Sequence, residues 1–398
     1  MNQFDKKFDR SITGTRKWSP VLLKEKIPNK SDIIAMDLAD IDFECAPSIK
    51  EALVQRALQP DYSYTFIPDE FYDAVIRWNK EHFDLSIKKE WIRLTFGTIS
   101  ALHNIVQALT DVGDSIMIHT PAYAPFSEAV LNNKRKLICN DLMIHHNRYY
   151  IDFEKMEKQI VENEVKLFIL CNPQNPSGRI WSKEELISIS KLCQKYNVLI
   201  VSDEIHRDIV FQETDFHSLW KAYPEIMNQS IMCVSPNKAF NLGGLKTSYI
   251  VIPNPSIKQK VYERLSANYV TSPHVFAVPA IVAAYNNEFS WLRGMVDYIA
   301  GNQRFVNEFI KEKMPLFIAM EAESSFLTWI YVGNIFDCES KIKDYFDEAG
   351  LTIVLGSYFV SNGEGFVRLN IGMQREKIVE ALERMKKLYD KILLMREH

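Results

Sequence analysis

The residues that could do chemistry cluster around one lysine. Lys238 lies in Ser235-Pro236-Asn237-Lys238-Ala239-Phe240-Asn241-Leu242-Gly243-Gly244-Leu245-Lys246, directly after the apolar run Ile231-Met232-Cys233-Val234. A lysine amine attacks a carbonyl only when it is partly neutral, which a dry pocket or a neighbouring cation encourages. Two other apolar runs end in polar groups: Val165–Cys171 in Asn172 and Asn175, and Val198–Val201 in Asp203 and His206. Amine, acid and amide therefore recur at one structural position, the end of a buried strand. By itself a Ser-x-x-Lys is an ordinary surface loop; the convergence is what gives it weight.

These residue types suit a flat phosphorylated cofactor. A carboxylate such as Asp203, directed at a ring nitrogen, keeps that nitrogen protonated and makes the ring an electron sink, as proteins do with pyridoxal phosphate. Gly97-Thr98-Ile99 opens a helix and offers backbone N–H groups and a helix dipole to a phosphate. Ser235 is a further donor, and Lys246 sits two helical turns beyond Lys238 if the segment turns helically, where it could hold an anion. Tyr123, after the strand Ser115–Ile118, can stack on a flat ring.

Alternating strands and helices must position these groups. From about residue 91, continuous apolar strands separated by helical patterns read as an α/β fold with a mostly parallel sheet buried on both faces. Open sheets of this kind bind ligands at their carboxyl edge. Ser182 and Glu185 form a capping box before Leu186, Ile189 and Leu192 on one helix face. Beyond about 288, short strands at Leu327–Val332, Leu351–Val354 and Phe366–Asn370 and a helix from Glu376 to Leu394 predict a smaller α+β domain. The polar stretch to about residue 45 cannot bury a core alone and must lie against another part of the chain. The expected division is an N-terminal arm over 1–47, a large domain over 48–287 and a small domain over 288–398.

Composition narrows the function classes. Net charge is −4, with 47 basic against 51 acidic residues, so nothing favours nucleic acid or an anionic membrane. The six cysteines are scattered without zinc-ligand or Cys-x-x-Cys spacing, and read as buried thiols in a reducing compartment. The charged start Met1–Lys7 lacks an apolar signal core, and no long apolar run occurs. A cytoplasmic location is expected.

Ordered motifs carry a resemblance. Ala39-Asp40-Ile41-Asp42-Phe43 with Ala46-Pro47, Pro121-Ala122-Tyr123-Ala124-Pro125-Phe126, Cys171-Asn172-Pro173-Gln174-Asn175-Pro176-Ser177-Gly178-Arg179, Ser202-Asp203-Glu204-Ile205-His206, the Lys238 segment and Gly365-Phe366-Val367-Arg368-Leu369-Asn370 follow one another over nearly the whole chain. The chain resembles fold-type I pyridoxal-phosphate enzymes of the class I/II aminotransferase superfamily, and within them the MalY/PatB cystathionine β-lyase group that includes cystalysin. The resemblance implies a seven-stranded large-domain sheet and a small domain completed by the N-terminal segment. It implies Lys238 as the Schiff-base lysine, Asp203 at the pyridine nitrogen, Tyr123 as the stacking ring and Asn175 at the phenolic oxygen. Gly97, Thr98, Ile99, Ser235 and Lys246 fall at the phosphate, joined by Tyr64 from the neighbouring subunit of a homodimer. Ala39, Asn175 and Arg368 face the substrate, with Arg368 as a bidentate clamp on its carboxylate. His206 is either a titrating group beside the ring or a packed histidine. The implied activity is α,β-elimination on a cysteine S-conjugate to pyruvate, ammonia and a thiol. An aminotransferase and a regulatory cofactor-binding protein without turnover are the alternatives. Asp37, Ser63 and Ala124 depart from the group's pattern on the substrate side; an Asp37 carboxylate facing the pocket would favour a substrate with a distal cation.

Overall fold

The computed structural model describes residues 2–396. Its central sheet has seven strands in the order Ile92–Thr95, Ser248–Val251, Ser230–Val234, Leu199–Asp203, Leu167–Cys171, Ser115–Thr120, Lys136–Asp141. Ser248–Val251 runs antiparallel to both neighbours, and the pairings from Ser230–Val234 to Lys136–Asp141 are all parallel. The mostly parallel sheet is therefore as expected. Lys136–Asp141 and Ser248–Val251 add two strands that hydropathy had not marked. The first begins exposed and then alternates half-buried and buried positions, and the second is a four-residue strand following a glycine-rich turn.

Strand periodicity of two sorts the side chains onto two buried faces. Leu167, Ile169, Val201 and Ile231 pack on one face, while Phe168, Leu170, Ile200 and Met232 pack on the other. The same parity carries Asp203 and Cys171 to the face of Val201 and Ile169. In register, Asp203 lies between Cys171 and Cys233. Local signals start the helices: Ser182 and Glu185 form the expected capping box on Lys183–Lys195, and Asn254 caps Pro255–Ala267.

A second sheet is antiparallel throughout, in the order Ile318–Ala319, Leu327–Tyr331, Phe366–Asn370, Val354–Leu355. The N-terminal segment joins this part of the chain: Ile34–Ala35 pairs in parallel with Leu351–Thr352, and Ile34 and Met36 enter the hydrophobic cluster of Val367, Leu369 and Leu382. The helix Phe289–Lys313 ties the two cores together. Its first half, through Trp291, Met295 and Ile299, packs with the main sheet; Val306 and Ile310 pack with the small one.

Gly356 and Gly363 cross in the loop before Phe366–Asn370. A Cβ on Gly356 would stand 1.7 Å from the Gly363 carbonyl oxygen. Backbone cannot yield that far without moving the loop. Gly356→Ala is expected to destabilise the protein by about 2–4 kcal/mol, read as a lowered Tm in thermal melts.

Candidate active site

The carboxyl edge of the parallel strands opens into a cavity of about 560 Å³. Strand ends supply its walls. Lys238 follows Ser230–Val234, Asp203 ends its own strand, Asn175 follows Leu167–Cys171, and Tyr123 follows Ser115–Thr120. Gly97, Thr98 and Ile99 line one side at the start of the helix Thr98–Leu109, whose first N–H groups lack helical partners. Gly97 has φ +94°, a conformation that side chains rarely adopt. Lys246 also lines the cavity, although the intervening chain is not helical as anticipated. It turns through Gly243–Leu245 and leaves Lys246 left-handed at φ +53°.

Burial controls the charges. Lys238 Nζ donates to the Ala39 carbonyl at 2.6 Å. Burial first, and then the Arg368 guanidinium, bring its pKa down to about 8. Asp203 is pushed up to about 7 by burial, against one backbone hydrogen bond from Ile205 at 3.1 Å. Neither group has an oppositely charged side chain within salt-bridge distance among the described residues. A buried acid and a buried amine without ionic partners are costly in isolation, and are met where a ligand completes the pairing.

Arg368, on the strand Phe366–Asn370, reaches the same site. Nη1 donates to Asn175 Oδ1 at 3.2 Å and Nη2 to the Asp37 carbonyl at 3.0 Å, and the guanidinium stands 5.2 Å from the Phe359 ring centroid. Its Nε is buried without a partner, and burial pushes its pKa down to about 10. The guanidinium is thus held in place with donor capacity to spare, as a carboxylate fork requires.

One expectation is corrected and two open readings are decided. Ser235 is fully buried, and its hydroxyl donates to the Thr247 carbonyl at 2.6 Å rather than lining the cavity. Asp37 does not point a free carboxylate into the pocket: Lys26 binds it at 2.5 Å and Thr352 at 2.8 Å. His206 lines the cavity but is held neutral, its pKa lowered by burial to about 3, which removes it as a titrating group near neutrality. Tyr64 is 99 % exposed and does not line the cavity of its own chain. Residues given no site role in the sequence analysis also contribute. Asn237, inside the Lys238 motif, faces the cavity and accepts from the Thr247 hydroxyl at 2.6 Å; Phe96, Phe126 and Cys171 complete the walls. Phe126 ends the Pro121–Phe126 motif and Phe96 immediately precedes Gly97, but only contact in space shows that both line the cavity.

The set fits pyridoxal phosphate. Free helix N–H groups and Lys246 suit a phosphate, Asp203 a protonated ring nitrogen, Tyr123 a flat ring, and Lys238 an aldehyde carbon. Fold and site together define an α/β enzyme of the Schiff-base type. The chain belongs to the aminotransferase class I and II family, whose model matches residues 31–385. It is 34% identical to cystathionine beta-lyase PatB of Bacillus subtilis over 96% of this chain and 98% of that one. Identity to protein MalY of Escherichia coli is 28%, over 95% of this chain and 96% of that one. Among solved structures, cystalysin from Treponema denticola, which contains a pyridoxal 5'-phosphate cofactor, superposes with a TM-score of 0.94 at 29% identity, covering 98% and 99% of the two chains.

Proposed function

We propose that the protein is a pyridoxal-phosphate-dependent carbon–sulfur lyase that cleaves cysteine S-conjugates such as cystathionine. The observation that carries this is the buried Lys238, without an ionic partner among the described residues and under the influence of both Arg368 and Asp203. Similarity to PatB and cystalysin along almost the full chain supports the lyase over other reactions of the fold.

Bound in the cavity, the cofactor supplies an electron sink for the pair left at the substrate Cα when its proton departs. The residues do the rest. Arg368 grips the α-carboxylate while Asn175 fixes the guanidinium and faces the ring. Lys238, with a pKa near 8, is neutral often enough to take the Cα proton and then returns a proton to the leaving thiolate. Asp203 would keep a proton on the cofactor's ring nitrogen, Tyr123 would stack on the ring, and the Thr98 and Ile99 N–H groups with Lys246 would hold the phosphate. The balance is one S-conjugate and one water giving a thiol, pyruvate and ammonium. The exposed Tyr64 is assigned to the phosphate of a second copy, making the working unit a homodimer. We assign cofactor binding to residues 48–287, with 288–398 and the 1–47 arm closing the substrate side.

The test is L-cystathionine with pyruvate and ammonium detection, with and without a keto acid. Pyruvate released without the keto acid is the expected result. Amino-group transfer that needs it would replace the lyase by an aminotransferase, and a cofactor-loaded protein inert across an amino-acid panel would point to a regulatory role. Arg368→Lys keeps the charge but loses the fork, so KM is expected to rise about 10–100-fold with a smaller change in kcat, read from steady-state kinetics.

A further inference from the structure

Residues 37–42 form a loop whose backbone is held almost entirely by side chains from elsewhere. Each carbonyl from Asp37 to Asp42 accepts such a bond. Arg368 binds that of Asp37, Asn370 those of Leu38 and Asp40, Lys238 that of Ala39, Arg10 that of Ile41 and Gln374 that of Asp42. Two of these donors, Lys238 and Arg368, are the groups that must turn to cofactor and substrate on the reading proposed above, on which this inference rests. When they turn, the loop loses two restraints at the wall of the site.

Beside the Asn370 and Gln374 bonds, the Asn241 amide on the Ile41 carbonyl and the Asp42 N–H on the Gly372 carbonyl, what remains is an ionic clasp from the N-terminal arm. Lys17 is fully buried and Arg10 nearly so. Arg10 bonds both Asp40, at 3.2 Å, and Asp42. Lys17 Nζ lies 3.0 Å from Asp42, 3.8 Å from Asp40 and 3.1 Å from the Asp40 carbonyl, and Trp18 Nε1 donates to Asp42 at 3.0 Å. Two cations thus balance two carboxylates, one and three residues beyond the Ala39 carbonyl that Lys238 touches. We propose that Arg10 and Lys17 are positioning residues of this active site, helping to hold the 37–42 loop when Lys238 and Arg368 leave it and offsetting part of the field by which Asp40 favours a protonated Lys238 amine. The other charges facing that amine are Arg368 and Lys246, of like sign, and Asp203, of opposite sign; none of them belongs to the arm.

The sign follows from the charges. Without Lys17, Asp40 is under-compensated and favours a protonated amine; without Asp40, the clasp cations disfavour it. The experiment titrates the absorbance of the lysine-linked cofactor in holoenzyme against pH. Lys17→Met is expected to move the midpoint up by about one pH unit and Asp40→Asn to move it down by about as much. The double variant K17M/D40N should return to within about 0.3 unit of the parent, and Lys17→Arg should match the parent. KM in K17M should rise several-fold with kcat changed less. A merely structural role predicts loosened variants with no opposed shifts and no recovery in the double variant. Unmoved midpoints in both single variants, with a normal cofactor band, overturn the inference while leaving the proposed function standing. If K17M does not fold, an unmoved or upward midpoint in D40N overturns it alone. Wild-type protein without any lysine-linked cofactor band overturns the proposed function and the inference together.

Discussion

Lys238→Ala is expected to abolish pyruvate release and the absorbance band of the lysine-linked cofactor. The amine is asked to do three things: hold the cofactor, take the Cα proton and return one to sulfur. Proton transfer by a positioned group is worth about 10²–10⁴ in rate, and loss of the covalent attachment adds to it, so a fall of about 10⁴ or more is expected. Nothing nearby can substitute. His206 is the other basic side chain close by, and its lowered pKa leaves it a poor base. Arg368 and Lys246 are committed to anions on this reading. Pyruvate burst measurements in single turnover, with an absorbance spectrum of the same sample, decide the matter. Wild-type pyruvate release from Lys238→Ala would end the assignment of Lys238.

Asp203→Asn is expected to split activity from stability. An asparagine keeps the shape and still accepts from the Ile205 N–H, but it cannot hold a full charge against the ring nitrogen. Turnover should fall by about 10²–10⁴ because the electron sink is weakened while KM changes little. Without cofactor the effect on stability has the opposite sign. In the folded chain burial holds the Asp203 carboxyl protonated up to about pH 7, against the ordinary value of 3.8. Between those values the unfolded chain has lost a proton that the folded chain retains. Stability contributed by this group is therefore complete below about pH 4 and is lost as pH rises through about 7. The substituted amide does not titrate, so the variant apoprotein should be more stable than the parent at pH 8, by on the order of 1–4 kcal/mol, and equal to it near pH 4. Urea denaturation at the two pH values measures this. A variant apoprotein less stable at pH 8 than the parent would show that the buried carboxylate has a partner in the fold.

Much of the site was legible because it sits at strand ends. The runs before Asn175, Asp203 and Lys238 are continuous and apolar, so their termini mark the carboxyl edge of a buried sheet in sequence order. What was not legible depends on directions of side chains and on backbone groups. Ser235 carries a hydroxyl in the expected motif, yet it turns inward to Thr247. Asp37 looked like a candidate specificity residue, yet Lys26 and Thr352 claim its carboxylate while its carbonyl meets Arg368. The 39–43 motif marked this loop, but carbonyls have no residue type, so the bonds that hold it left no signal. Ser248–Val251 escaped because a four-residue strand after a glycine turn carries too little pattern.

From sequence alone came the class of fold, the lysine, acid and amide proposed for the site, and the cofactor they suit, because strand periodicity and residue chemistry are local properties. Only the tertiary structure decided that Arg368 meets Asn175, 193 positions apart. It also decided which charges survive burial, and that two cations of the N-terminal arm close on Asp40 and Asp42. Those outcomes depend on desolvation and on which distant groups share a few ångströms, and neither is a property of any one stretch of chain.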